Sequence, residues 1–277
     1  MNELLSAHHL TELEPEYREA LTLLPHPPAQ LQALTPEAGT RRYYRPHPEQ
    51  GWLLVISHTP APHPTALWLQ SCGVRVPALG AARPLAQGLQ GNRWAYLVED
   101  FGDMLFAGNP SAESYAALLE SWERFTFKPL PAGHPQASLA LDAPLFRREL
   151  GMFLERYVQA FRRRALEAEQ LGAARTLLDA LAVEAARGPQ SMQHRDFHSR
   201  NLVHLHAPAT RPEEIGWLDH QDLRRGPLYY DLASLVTDAY TDLGESVQRL
   251  LADAVPAWGV SSGLGQEEAQ ARFRITA

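Results

Sequence analysis

Cysteine and lysine are almost missing from this sequence. Among 277 residues there is one cysteine, Cys72, so no disulfide can close within the chain. A reducing compartment, the cytoplasm, is the expected location. There is one lysine, Lys128, which leaves 24 of the 25 cationic residues as arginine. Codon usage in a GC-rich genome is enough to produce that bias, but the chemical consequence holds whatever the cause. No chemistry that needs a lysine before residue 128 is open to this chain, and a lysine Schiff base can form nowhere else. Long apolar runs are missing too: none approaches the ~18 residues of a membrane span. The opening MNELLSAHHLTELEPEY lacks the basic and apolar regions of a secretory signal. Positive charge is in deficit overall, with a net charge of −7, which argues against a protein that coats nucleic acid.

What is present is ordinary for a globular protein: 45% hydrophobic and 21% charged residues, with no internal repeat. The length suits two lobes. Up to about residue 98 the chain reads as short apolar runs set between prolines. Gly51–Ile56 and Trp94–Val98 have the composition of strands, and 46–51 reads as a hairpin connection. Pro60, Pro62 and Pro64 make a stiff lead into a short helix, Ala66–Cys72, stopped by Gly73. Beyond residue 110 the period becomes helical. Ser111–Phe125 opens on a serine cap. Pro144–Phe161 places Phe146, Leu150, Phe153, Leu154, Tyr157, Val158 and Phe161 on one stripe. Ala165–Arg187 continues the period until Gly188-Pro189. Two short strands, Leu202–Leu205 and Ile215–Leu218, precede a last amphipathic helix from Asp231 through Leu243. Trp258–Gly265 reads as a Gly/Ser loop before a short tail. The architecture expected from this pattern is α+β and bilobal, a small β-rich N-lobe followed by a mainly helical C-lobe.

Residues 194–201 read His-Arg-Asp-Phe-His-Ser-Arg-Asn. This is H-R-D-x-x-x-x-N, the catalytic-loop pattern of kinases. The spacing lets Asp196 accept or orient the proton of an attacking hydroxyl, while Asn201 offers a neutral oxygen to Mg²⁺. Asp219 follows an apolar strand, where a carboxylate that bridges Mg²⁺ to phosphates belongs. Positioning and charge neutralisation do most of the work in phosphoryl transfer, so these three oxygens are nearly the whole machine. His194 reads as a packed support for the loop. Asp231, read alone, is a carboxylate at a helix start, favourable by the helix dipole. Asp222 fits either a turn or a supporting role. The histidines His194, His198, His204, His206 and His220 are dense here, but a zinc site needs converging ligands that the pattern does not supply. His220 reads as packing with its polar tip outward.

The run HRDFHSRN…IGWLDHQD…GPLYYDLASL resembles the aminoglycoside phosphotransferase family of kinase-like enzymes. Within it the nearest likeness is to the bacterial branch that phosphorylates N-acetylmuramate and N-acetylglucosamine at the anomeric position. Val98-Glu99-Asp100-Phe101-Gly102-Asp103 resembles that branch's hinge, Arg148–Phe153 its RELxLF helix, and 72–77 its AGVRVP stretch. The resemblance implies a protein-kinase-like fold: residues 1–98 an N-lobe whose antiparallel sheet covers ATP, 99–103 a hinge, 104–277 a C-lobe with the catalytic loop and metal site. It implies Asp196 as catalytic base and Asn201 and Asp219 as Mg²⁺ ligands. The backbone at Glu99 and Phe101 would hold adenine, and Asp231 would brace the catalytic loop. ATP and Mg²⁺ are the implied cofactors and a sugar the implied small-molecule partner, with neither nucleic acid nor membrane; the alternatives are an aminoglycoside or choline-type phosphotransferase, or a catalytically impaired pseudokinase that binds without turnover.

The chain departs from the pattern in two places. The glycine loop would be 37–45, with Gly39 as its one glycine. The strand at 51–56 carries no lysine, and no acidic residue stands between Glu49 and Glu99 to pair with one. The sugar-kinase branch also lacks that lysine. Arg41 or Arg42 is then the candidate for the phosphate-facing charge, since arginine can grip phosphate bidentately; the plain alternative is that both are solvated hairpin residues. The family continues with further helices after Tyr240, where this chain is expected to end soon.

Overall fold

The computed structural model describes residues 4–6, 16–34, 41–85 and 93–277. It divides into two compact units, Met1–Gln70 with Val76–Asp103, and Ser71–Arg75 with Met104–Ala277.

In the first unit a six-stranded antiparallel sheet forms among the described residues. Its strands are β1 (Leu4–Ser6), β2 (Gln30–Ala33), β3 (Arg42–His47), β4 (Trp52–Ser57), β5 (Leu79–Pro84) and β6 (Trp94–Glu99), in the order β1-β2-β3-β4-β6-β5. The apolar run WLLVIS becomes β4, a central strand buried on both faces, because side chains alternate across a strand. Leu54 and Ile56 point to a cluster with Leu31, Tyr44 and Leu97, which helix α1 (Glu16–Leu21) closes with Tyr17 and Ala20. Val55 faces the other way, against Ala61 and Tyr96. The expected strands and hairpin are therefore present, although Pro46 and His47 belong to β3 and only 48–51 connect it to β4. Helix α2 (His63–Ser71) starts earlier than the sequence suggests: Pro64 sits in its first turn, where a missing N–H costs nothing. Gly73, at φ +83°, lies just past its end.

The second unit is built on α3 (Ala112–Thr126), whose Tyr115, Leu118, Trp122 and Phe125 are fully buried. The Ser111 hydroxyl caps it, accepting the Ser114 N–H at 3.2 Å. Trp122 stacks on Trp258 with centroids 3.9 Å apart, and Phe125 meets Trp217 edge-on at 5.4 Å. Around it lie α4 (Ala143–Met152), α5 (Ala168–Ala185), α6 (Tyr230–Val236), α7 (Glu245–Ser261) and α8 (Gln266–Thr276). Two antiparallel pairs complete the unit: β7 (Gln190–Gln193) with β10 (Arg224–Pro227), and β8 (Leu202–His204) with β9 (Ile215–Trp217).

Three sequence expectations are corrected here. The stripe over 144–161 is buried only in part, at Phe146 and Leu154. The helix widens into a π-helix over Phe153–Phe161, and Phe153, Tyr157 and Phe161 are exposed, stacked on one another at 5.4 and 5.8 Å. The last amphipathic helix stops at Val236, because the Asp238 carboxylate takes the Tyr240 N–H at 2.9 Å and the Ser199 N–H at 2.7 Å, offering the chain a turn instead. Residues 258–261, read as the start of a loop, are the end of α7, which carries Pro256 inside it.

Candidate active site

Strand β7 delivers the chain to the His194–Asn201 loop, and a buried carboxylate holds its backbone there. Asp231, fully buried on α6, accepts the His194 N–H (2.7 Å) and the Trp122 indole N–H (2.9 Å) at Oδ2, and the Arg195 N–H (3.0 Å) at Oδ1. Its own N–H goes to Gln193 Oε1 at 2.9 Å. Burial pushes the Asp231 pKa up, opposed by His194 and by these N–H donors. The bracing role that resemblance implied for Asp231 thus has a geometry: one carboxylate, three donors, two of them in the loop. His194 is buried as expected, and its Nε2–H donates to the Leu218 carbonyl at 2.8 Å.

Asp196 follows half-buried. Its carbonyl accepts the Asn201 Nδ2–H at 2.8 Å, which closes the loop on itself and turns the Asn201 carboxamide oxygen to other use. Phe197, fully buried, anchors the loop against Trp217 at 4.7 Å. Asn201 then enters β8, and its carbonyl accepts the Leu218 N–H at 2.8 Å. Because β8 and β9 pair antiparallel with Leu202 opposite Trp217, Asn201 and Asp219 stand at the same end of that hairpin. Asp219 has φ +54°, and the Gln221 side-chain amide donates to its Oδ1. The structure therefore brings Asp196, Asn201, Asp219, His194 and Asp231 together in one unit.

The donor set fits Mg²⁺: a carboxamide oxygen and a carboxylate are hard ligands, and Mg²⁺ keeps few protein ligands beside substrate phosphates. Among the described residues no three His, Cys, Asp or Glu side chains converge as a metal cluster. His204 is buried and stacks on Phe106 at 4.0 Å, with burial pushing its pKa down, whereas His206 is exposed. His220, expected to point outward, is instead 5% exposed.

The residues expected on the nucleotide side belong to the other unit. Gly39 lies outside the described residues. Arg42 opens β3 opposite Ile56 and is exposed; Arg41 precedes it. At Glu99 the N–H donates to the Ala78 carbonyl at 2.9 Å and Oε2 accepts the Ala78 N–H at 3.0 Å. The Asp100 N–H reaches the Gly51 carbonyl at 3.0 Å, and Phe101 follows. Arg45 is the residue the sequence did not single out. It is 6% exposed and grips Asp100 (2.5 and 2.9 Å) and Asp103 (2.8 and 3.0 Å) with both edges of its guanidinium. Arg45 holds the Asp103 carboxyl below its ordinary pKa. The sequence singles out Asp222 as a turn or supporting residue but not its partner: Arg195 pairs with Glu149 at 3.1 Å and with Asp222. The sequence signal is an arginine beside Asp196 with acidic residues elsewhere, which no spacing rule connects.

A profile described as the phosphotransferase enzyme family, APH, matches residues 30–264. The chain belongs to the APH phosphotransferase family. Curated relatives of this chain are named N-acetylmuramate/N-acetylglucosamine kinase. The one from Pseudomonas aeruginosa is 32% identical over 233 residues, 79% of this chain and 63% of the relative. The one from Pseudomonas putida is 27% identical over 250 residues, 83% of this chain and 68% of the relative. The match therefore spans less than two thirds of the Pseudomonas aeruginosa relative. Among solved structures, the ADP-bound aminoglycoside phosphotransferase APH(2'')-Ib aligns with a TM-score of 0.59 at 14% identity, over 95% of this chain and 86% of that one. The aminoglycoside-3'-phosphotransferase of type VIII aligns with a TM-score of 0.53 at 15% identity, over 89% and 92%. At such identities the likeness is one of fold, and it agrees with the bilobal kinase-like α+β architecture. No helix among the described residues is long and apolar enough to cross a membrane.

Proposed function

We propose that this APH phosphotransferase transfers the γ-phosphoryl group of ATP to a hydroxyl of an amino sugar of the N-acetylmuramate or N-acetylglucosamine type. The observation that carries the reading is the His194–Asn201 loop, braced on Asp231, with Asn201 and Asp219 at one end of a hairpin. Asp196 accepts or orients the proton of the acceptor hydroxyl. That oxygen bonds to the γ-phosphorus while the bond to the β,γ-bridging oxygen breaks and ADP leaves. Asn201 and Asp219 would hold Mg²⁺, which when bound neutralises phosphate charge. In the first unit the backbone at Glu99 and Phe101 would take the nucleobase, and Arg41 and Arg42 would supply charge to the phosphates. The sugar class comes from the curated relatives, and the reaction belongs in the cytoplasm, where ATP is available.

The test is ADP release from Mg·ATP with N-acetylglucosamine, N-acetylmuramate, kanamycin or choline. The expected result is turnover with an acetylated amino sugar. Asp196→Asn is expected to lower kcat at least 10²-fold, the scale of general acid–base catalysis, with nucleotide binding kept. Turnover of kanamycin or choline alone overturns the sugar class. Full activity in Asp196→Asn overturns the base.

A further inference from the structure

Arg195 occupies a backbone conformation that its residue type disfavours. Its φ is +82°. Glycine adopts that region freely, whereas a residue with a Cβ pays enough there to shift a conformational equilibrium about tenfold or more. Such a residue persists only where its surroundings over-determine it, and here three elements do so. The Arg195 N–H is taken by Asp231 Oδ1 on α6 at 3.0 Å. One guanidinium nitrogen donates to Glu149 Oε1 on α4 at 3.1 Å. Another meets Asp222, in the link between β9 and β10, which is itself held by Arg224 at 2.8 Å. These are not loose surface pairs: the Arg195, Glu149 and Asp222 side chains are 25, 29 and 28% exposed.

The next residue along the chain is Asp196. Were Arg195 to relax to negative φ, the peptide unit that carries Asp196 would turn with it, and the Asn201 contact to the Asp196 carbonyl would be lost. We infer that Glu149 and Asp222 are positioning residues, which grip the Arg195 guanidinium and so keep the loop in the turn that aims the Asp196 carboxylate. A glycine at this position would reach the turn without strain but would be free to leave it. The arginine reaches it at a cost and is locked there by two carboxylates. The inference rests on the reading of Asp196 as base, and its test separates the two.

The variants are Glu149→Gln, Asp222→Asn, Arg195→Ala and Arg195→Gly, assayed for kcat and both KM values with the sugar that the wild type turns over. Amide hydrogen exchange across 194–201 is measured in parallel. Glu149→Gln and Asp222→Asn are each expected to lower kcat about tenfold, and Arg195→Ala about 100-fold, with KM for ATP and sugar changed less than about twofold, because the ground-state contacts are untouched. Arg195→Gly is expected to recover at least tenfold of the loss in Arg195→Ala, since glycine takes φ +82° without strain, and Glu149→Gln added to it is expected to do nothing more. Exchange across the loop rises in Glu149→Gln and Asp222→Asn whatever the chain's activity. Two results overturn the inference: an Arg195→Gly enzyme as slow as Arg195→Ala, or wild-type kcat and exchange in Glu149→Gln. If the wild type turns over no substrate the proposed function falls, and the grip on Arg195 is then judged on exchange alone, with unchanged protection in both carboxylate variants overturning it.

Discussion

Replacing Asp231 with asparagine keeps the shape of the side chain and removes one acceptor. In the wild type two oxygens serve three N–H donors, from His194, Arg195 and Trp122, at 2.7 to 3.0 Å. Asparagine offers one oxygen and turns an NH₂ toward the remainder. With its oxygen at the Oδ2 place it keeps His194 and Trp122, and the Arg195 N–H then faces another donor. A stranded buried donor costs about 1–3 kcal/mol, and here two are opposed, so the gross loss is about 2–6 kcal/mol. Removing a carboxylate whose burial is unfavourable, as its raised pKa shows, returns part of that. The net loss is then about 2 kcal/mol, which lowers Tm by about 4–8 °C in a chain of this size. The same figure makes loop opening about 30-fold more frequent, at roughly 1.4 kcal/mol per factor of ten. Scanning calorimetry reads the first effect, and hydrogen exchange at the His194 and Arg195 amides reads the second. A Tm within 1 °C of wild type, with both amides still fully protected, would refute the claim that this carboxylate anchors the loop.

Two further outcomes follow from local geometry. Glu214 accepts the Thr210 N–H at 2.9 Å and the Arg211 guanidinium at 2.5 and 2.9 Å, which lowers its pKa from 4.5 to about 2. A carboxyl whose folded pKa is depressed stabilises the fold above its unfolded pKa and loses that as pH falls through the folded one. The urea midpoint of the wild type is therefore expected to drop more between pH 5 and pH 2 than that of Glu214→Gln; parallel drops would contradict it. Gly259→Ala would set a methyl against Ala269 and 2.7 Å from the Tyr229 hydroxyl, where α7 meets α8. Overpacking of this kind costs about 1–3 kcal/mol, read as a lower Tm, and an unchanged Tm would show that the two helices slide apart freely.

The parts of this fold that could be read in the sequence are those fixed by short-range pattern. β4 was legible because an apolar run buried on both faces has no other home in a small sheet. The loop at 194–201 was legible because the H-R-D-x-x-x-x-N pattern sets residue types at fixed offsets. The stripe at 144–161 misled because periodicity reports that one face is apolar, not that anything covers it, and Phe161 is 75% exposed. α7 was missed because Pro256 and Gly259 break the pattern locally, although Val247, Leu251, Val255 and Trp258 keep helical spacing and are buried. Arg45 and Arg195 escaped for a different reason. Their partners lie 55 and 46 residues away, as Asp100 and Glu149, and only the folded chain brings them to one guanidinium.

Those two residues bear on the lysine deficit. Codon usage can account for how many arginines the chain has, but not for where the structure puts them. Arg45 spans Asp100 and Asp103; Arg195 spans Glu149 and Asp222; Arg124 spans Glu120 and Glu213 while also reaching the Gly73 carbonyl; Arg272 spans Glu184 and Glu268. One flat cation between two carboxylates is a geometry that a guanidinium supplies with donors on both edges, and that an ammonium on a flexible stem does not. The exception proves consistent: Lys128 is exposed, just past the end of α3, where a point charge in water suffices. The arginines at Arg45 and Arg195 are therefore committed to carboxylates of their own units, which withdraws them from any part in neutralising phosphate. Arg42, which the sequence offered for that task, stands exposed at the start of β3, and under the proposed function Asn201 and Asp219 would hold the ion that neutralises phosphate.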